Sequence, residues 1–430
     1  MICRSTVHQS GHLQNPTRKE LCQGTTSVVP NSPKNIGGLY RLRKNPRLFC
    51  ITADLSIFDY ERSMRGNDQQ QTAMFSYLTL SQRIPMDHPV RQIRTLVDRA
   101  LGRMDSELEK LYSVTGRPSI APERLLRATL LMILYSIRSE RQLMEQMNYN
   151  LLFRWFVGLE MDDSVWDVTV FTKNRERLIA GEISQRLLES VLVEARAHDL
   201  LSEEHFTVDG TLIQAWAAAR SFKEKSDPPK PGKGSGHKGS VLLRDKVESQ
   251  TDPEARLYKK ATADKSVPAY QGHALTENRN GLVVAAEASL AATIAERDMA
   301  LVLLDRAVAS KDKRRAELQI TLGADTQYQE EKFIEALRER EVAPHVSEYV
   351  KGNLEKNSLT EAERNDERRK ISQRKRKLIE RVFGWSKLDR VLRQVKLRGL
   401  DRVDWFYRLT VVAHNLVRMR SLIPTATQPC

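Results

Sequence analysis

Two short alternating runs, each closing on an aspartate, constrain this chain more than any other feature. The first is HFTVDGTLIQAW, where Phe206 and Val208 alternate ahead of Asp209; the second is LQITLGAD, where Leu318, Ile320 and Leu322 alternate ahead of Asp325. A period of two marks a strand with one buried face. Each acid is therefore expected where a strand leaves the sheet, as a turn residue or as the first ligand of a site. Around them the pattern reads three strands, then helix, strand, helix, strand, helix, helix. A hairpin turns at 278–281 in ALTENRNGLVVAAEA, helices follow in ATIAERDMALVLLDRAVA and after Asp325, and VAPHV is a further short strand. This is an α/β layout, and an open α/β sheet gathers ligands at the carboxyl ends of its strands. Asp209 and Asp325 meet if their strands are neighbours.

A third carboxylate has to come from elsewhere. SQRKRKLIERVFGWSKLDRVLRQVKLRG reads as one long basic helix with an apolar stripe of Leu378, Ile379, Val382 and Phe383, and it carries Glu380. From Arg364 to Arg398 there are fourteen basic residues against four acidic ones, a surface suited to phosphates. On the residues alone, Glu380 is better explained as an intrahelical partner of Arg376, four positions earlier.

The first half of the chain has a different texture. Residues 1–63 are rich in Ser, Asn, Gly, Pro and Arg without periodicity and read as a disordered lead, with Met64 as the expected native start. From 64 to 200 apolar residues recur at helical spacing, as in Leu125, Leu126, Thr129, Leu130 and Ile133. In GRPSIAPERLL, Pro118 and Pro122 mark the start of a helix, and Glu123 suits its dipole. The arginines of RSERQ and FTKNRERL are expected on phosphates. Asp87 with His88 reads as a turn or cap, Asp162 and Asp163 as a loop and helix cap, and Glu277 as a hairpin residue facing solvent or a partner helix. The Lys/Gly/Pro/Ser tract at about 222–262 reads as a flexible basic loop.

A formal charge of +14 and a pI near 9.6 favour a polyanionic partner. Cys3, Cys22, Cys50 and Cys430 lack ligand spacing, which argues against a zinc site or a disulfide framework. No apolar leader is present at the start, and LLRATLLMILYSI is too short to span a bilayer. A cytoplasmic protein is expected.

HFTVDGTLIQAW, ITLGAD and RKLIERVFGWSK resemble the three catalytic segments of DDE transposases of bacterial insertion sequences, in particular the insertion sequence five family. The stretch from GRPSIAPERLL to FTKNRERL resembles that family's N-terminal helical domain. The resemblance implies an all-α DNA-binding domain at 64–200 ahead of an RNase H-like catalytic domain at 201–425, a mixed sheet with flanking helices. It implies Asp209, Asp325 and Glu380 as catalytic acids holding two Mg2+ ions, with Mn2+ as substitute. Arg376 and Lys387 match the Arg and Lys flanking the glutamate in an R-x3-E-x6-K arrangement, and would hold terminal phosphates. Trp385 in its Phe-Gly-Trp segment either stacks on a displaced base or anchors the core. The implied partners are double-stranded DNA, as terminal inverted repeats and as target, and a second copy of the chain in a homodimer at the nucleoid; no membrane is implied.

The chain departs from the family at several points. Thr326, Gln327, Tyr328 and Gln329 stand where the family has Lys-Gly-Tyr-Asp, Arg381 stands in place of a second Glu, and Lys370 and Ile371 replace a Gly-Tyr. Groups around metal ligands orient them. Three readings follow: an active transposase, a DNA-binding remnant that represses transposition, and a nuclease without joining activity.

Overall fold

The computed structural model describes residues 78–424, apart from 114, 116–118, 225–246, 260–264, 293–294, 310–318, 351, 353 and 389–391. The expectations for residues 1–63, Met64, the four cysteines, Pro118, Leu318 and most of the basic tract lie outside the described residues. One compact unit spans Met74–Cys430.

The helical part runs α1 (Leu80–Arg83), α2 (Pro89–Arg103), α3 (Asp105–Glu109), α4 (Pro122–Leu134), α5 (Glu140–Tyr149), α6 (Leu151–Val157), α7 (Val168–Ala180) and α8 (Ile183–Ala197). Its boundaries are chemical. His88 caps α2 by accepting the Val90 N–H at 3.3 Å, and Pro122 opens α4 where no N–H is needed. Ser139 caps α5, Asn150 caps α6, and Gly158 ends α6 at φ +91°. Asp163 accepts the Glu160 N–H within the loop, but the cap expected from Asp162 and Asp163 falls to Asp167, which accepts the Thr169 N–H at 2.8 Å.

The second half supplies β1 (His205–Gln214), β2 (Phe222–Glu224), β3 (Val247–Ser249), β4 (Arg256–Tyr258), β5 (Val267–Glu277) and β6 (Val283–Leu290). Then follow α9 (Ala295–Ala309), β7 (Thr321–Ala324), α10 (Glu331–Glu339), β8 (Ala343–Val346), α11 (Glu361–Asn365), α12 (Glu367–Lys375), α13 (Lys377–Leu388) and α14 (Leu400–Leu422). Among the described residues the main sheet has six strands in the order β4-β5-β1-β7-β8, with β6 also on β5. β1 is antiparallel to β5 along nearly its whole length and parallel to β7 over only three residues. Of the expected series, β1, the β5/β6 hairpin, α9, β7, α10 and β8 appear in order among the described residues, with β2, β3 and β4 additional and four helices in place of two after β8.

Alternation assigns the two faces of β1. Phe206 and Val208 enter an apolar cluster with Leu303 and Leu304 of α9 and Phe333 and Ile334 of α10. Ile213 enters a second cluster with Tyr407 and Leu409 of α14, which also takes in Val97, Leu130 and Leu188 of the helical part. The helical layer and the sheet thus share one core through α14.

Four expectations need correction. Asp209 does not end its strand: β1 continues through five more residues to Gln214, because β5 goes on pairing after β7 has stopped. Glu277 does not face solvent. It is fully buried and accepts N–H groups from Ser202, Arg279, Asn280 and Leu282, so it closes the hairpin turn from inside. The tract at 222–262 is partly structured: β2 pairs β3, β4 joins the sheet, and buried Asp252 accepts from the Tyr270 hydroxyl at 2.7 Å and the Gly399 N–H at 3.2 Å. The long basic helix expected from Ser372 onward is in fact the end of α12 and then α13, broken at Arg376, and the segment after α13 leaves helix to bridge Gln394 to Gln214.

Candidate active site

The β1/β7 register pairs His205 with Thr321, Phe206 with Leu322 and Thr207 with Gly323. The pairing stops two residues short of Asp209 and Asp325; by strand parity Asp209 lies on the face of Thr207, opposite to the Phe206/Val208 core, and both acids are near enough to Tyr328 to act on its hydroxyl. β7 ends at Ala324, so Asp325 stands at the carboxyl end of its strand in the crevice where β1 loses its parallel neighbour. Both acids are half-buried. The Asp209 carboxylate accepts the Gly210 N–H at 2.8 Å. Asp325 accepts the Thr326 N–H at 2.6 Å and so opens the turn at 326–328.

Three further polar groups lie around these acids: Tyr328, from the segment after Asp325 where the chain departs from the family, and Glu296 and Gln271, which no local motif marks. Tyr328 is buried, its hydroxyl lacks a hydrogen-bond partner among the described residues, and its pKa is pushed well up, first by burial and then by the charges of Glu296, Asp209 and Asp325. Glu296, in the first turn of α9, lies 3.0 Å from where a Cβ on Gly210 would stand, and it accepts a hydrogen bond from Gln271. The Oε1 of Gln271 is buried without a partner. No periodicity signals such residues, since they come together only when β5, α9 and the turn after β7 are packed. Arg297 fixes that packing by pairing with Glu330 and donating to the Gln327 carbonyl at 3.2 Å.

Two carboxylates that both act on Tyr328, with unsatisfied buried oxygens nearby, match the hard oxygen donors that a small divalent cation prefers. Glu380 stands apart from them. It is exposed on α13, whose opposite face, Ile379, Val382 and Phe383, packs inward, and α13 lies against β1 and β5. Among the described residues no three His, Cys, Asp or Glu groups are close enough to hold a metal ion. Lys387 is half-buried two turns beyond Glu380 on α13. Arg376 is the junction between α12 and α13, with its Nε buried and unpartnered, so it does not share a helix with the other two.

Two family profiles match the chain: "Transposase domain (DUF772)" at residues 78–177 and "Transposase DDE domain" at residues 203–416. Together they cover well over half of it. The chain belongs to the DDE transposases. Such enzymes cleave and join DNA with divalent metal ions. No curated protein matches. Among solved structures, the piggyBac transposase synaptic complex with hairpin DNA matches at 8% identity and TM-score 0.34, covering 77% of this chain and 75% of that one. The Mos1 mariner paired end complex with Mn matches at 14% identity and TM-score 0.19, covering 68% and 86%. At these scores the assignment rests on the two profiles.

The structure sorts the remaining phosphate-binding expectations of this transposase. The arginines of FTKNRERL are turned to structural work: Arg175 is buried against Glu140 and Glu176, and Arg177 lies over the Tyr112 ring. Trp385 packs against the core and meets His414 edge-on at 5.6 Å, which is the surrounding of a core anchor and not of a stacking platform. Arg138 and Arg141 of RSERQ remain exposed. Among the described residues no helix is long and apolar enough to cross a membrane.

Proposed function

We propose that this transposase acts on the terminal inverted repeats of an insertion sequence of the insertion sequence five type, with Asp209, Asp325 and Glu380 as its metal-holding acids. The parallel pairing of β1 with β7 just ahead of Asp209 and Asp325, and the charge of both acids on Tyr328, support this reading. Two like charges on neighbouring strands repel, and a site that keeps both is organised for a cation. Bound in pairs, Mg2+ or Mn2+ supplies the charge that activates water or a DNA 3′-hydroxyl and stabilises the leaving oxygen. Asp209 and Asp325 fix the position of that charge from rigid strand backbone. Glu380 approaches on α13, and Arg376 and Lys387 hold the terminal phosphates on either side of it.

In this reading residues 64–200 recognise the repeat and residues 201–425 cut and join. A homodimer is required because two element ends must be brought together, and the work is done in the cytoplasm at the nucleoid. One observation favours a second reading, a DNA-binding repressor without chemistry: Glu380 stands off from the aspartate pair, and Thr326 and Gln327 have replaced the family's basic and glycine residues.

Nicking of a labelled duplex carrying the element's terminal repeat separates the two. Metal-dependent cuts at the repeat boundary, lost in Asp325→Asn and in Glu380→Gln, support the enzyme. Tight repeat binding without cuts in either metal supports the repressor, and cuts without strand transfer reduce the protein to a nuclease.

A further inference from the structure

On the α14 side of the sheet, the far end of β1 opens into a cleft of about 350 Å3 between the helical layer and the segment that follows α13. Arg138, Arg141, Lys396 and Gln394 line it. Its one carboxylate, Glu140, is already engaged by Arg175 and by the Thr172 hydroxyl, so the lining is left strongly cationic. Arg138 just before α5 and Arg141 in its first turn are both exposed, and the charge of Arg141 bears on nearby Asp167. Trp216 does not line the cleft but borders it through Lys396; it stands two residues beyond β1 and is 38% exposed, the most exposed tryptophan among the described residues. The Lys396 ammonium lies 5.5 Å from the centre of its ring, and Gln394 donates to the Ala215 carbonyl at 3.4 Å. Trp216 and the cleft are therefore one continuous surface.

The same strand that carries Asp209 leads there. Asp209, Thr211 and Ile213 share the α14-facing side of β1, and Gln214 is bridged directly to Gln394 of the cleft. From Asp209 to Gln214 is about 17 Å at 3.3–3.4 Å per residue, the length of roughly five stacked nucleotides. We propose that the cleft and Trp216 bind a single strand of DNA leaving the catalytic crevice, with Arg138, Arg141 and Lys396 on its phosphates and the Trp216 indole against one unpaired base. An indole face beside a cation accepts any base but only when that base is unstacked from a duplex, which is why a single strand fits and a duplex does not. The proposal rests on the transposase reading.

Anisotropy titrations of the full-length protein test it, with a labelled repeat duplex, blunt or carrying a single-stranded extension of about ten nucleotides. The wild type binds the extended duplex more tightly. Trp216→Ala removes about tenfold of affinity for the extended duplex and leaves the blunt one unchanged, and Trp216→Phe restores most of the loss. Arg138→Gln with Arg141→Gln flattens the logarithmic salt dependence for the extended duplex by between about one and two, as expected for two lost phosphate contacts.

Equal losses on blunt and extended DNA in Trp216→Ala overturn the proposal in favour of a duplex-binding surface. Equal competition by polyglutamate overturns it in favour of a general polyanion surface. Failure of the wild type to bind either DNA at all counts against the transposase reading itself, whereas binding with no preference for the extension counts against the cleft alone. Unchanged thermal unfolding in each variant shows that the fold is retained.

Discussion

The helical layer and the catalytic crevice treat buried charge in opposite ways. In the helical layer each charge is answered on the spot. Glu194 is taken by Arg99 and Arg103, Asp98 by Arg94 and Arg127, and buried Arg154 by the carbonyls of Met147, Glu160, Met161 and Asp163. Burial would raise the Glu194 carboxyl, but the hydrogen bonds from Arg103 and Arg99 outweigh it and hold it below its usual range. At the crevice the charges of Asp209, Asp325 and Glu296 all bear on the buried Tyr328 hydroxyl, which, like the Gln271 carbonyl oxygen, lacks a hydrogen-bond partner among the described residues. Charge in the first region specifies how helices pack. In the second several acids converge on one buried hydroxyl, the arrangement from which the metal-holding role of Asp209 and Asp325 is proposed.

The largest effect that separates the regions is on catalysis. Asp325→Asn should reduce nicking by about a thousandfold or more, roughly 4 kcal/mol of barrier, while its unfolding temperature stays level or rises, because one of two repelling charges has gone. A crevice substitution that lowers both equally would mean the acids are structural after all. Arg154→Met makes the converse test. It strands four carbonyls in a buried site and should cost about 3–5 kcal/mol of stability, seen as a lowered denaturation midpoint, with nicking per folded molecule unchanged.

A smaller effect concerns pH. Burial pushes His273 and His414 down to about 4, so both stay neutral in the folded protein. The unfolded chain protonates them near 6.5. Their contribution is complete above about 6.5 and is lost as pH falls through the window from 6.5 to 4. Asp404 has the opposite sign. Burial, only partly offset by Arg408, raises it to about 6, so its contribution is greatest below about 4 and falls as pH rises to 6. Two histidines outweigh one aspartate, so unfolding at pH 5 should need less denaturant than at pH 7.5. Replacing His273 by Gln should reduce that difference by on the order of 2 kcal/mol.

The sequence disclosed the features that repeat locally and hid those that depend on packing. The period-two runs located β1 and the acids on it and after β7, and Pro122, His88 and the 278–281 turn marked element ends, because caps and turns are satisfied within a few residues. Asp209 was misplaced to a strand end because the pattern stops being apolar there, although β5 keeps β1 extended as far as Gln214. Glu277 reads as facing solvent or a partner helix because its four N–H donors come together only in the folded turn. Glu296, Tyr328 and Gln271 come from three separate elements, and Trp216 acquires its neighbour Lys396 from 180 positions later. No spacing rule links them. Trp385 sits in a motif that leaves stacking and core anchoring both open, yet its surroundings are apolar and those of Trp216 are not.

Two glycines give the finest comparison between the regions. A methyl added at Gly181, where α7 ends in the helical layer, would meet Leu111 Cδ2 at 2.6 Å, the far end of a partly buried side chain that can rotate away. Gly181→Ala should therefore change stability by less than about 0.5 kcal/mol and leave nicking alone. At Gly323, on β7 beside Thr207, the same methyl would meet the Ser372 Oγ at 3.0 Å, the Thr207 Oγ1 at 3.1 Å and the Phe206 carbonyl at 3.5 Å. Ser372 is buried on α12, and Thr207 is pinned to Asn278 at 2.7 Å, so α12 has to retreat by a few tenths of an ångström. α12 runs through Arg376 directly into the helix that carries Glu380. The stability cost should be modest, about 1 kcal/mol, but a shift of 1 Å at a reacting centre is worth up to about a hundredfold in rate, so nicking by Gly323→Ala should slow by roughly tenfold. If nicking follows stability instead, the spacing between β7 and α12 does not place Glu380, and its distance from the two aspartates must be closed by movement of α13 itself when DNA binds.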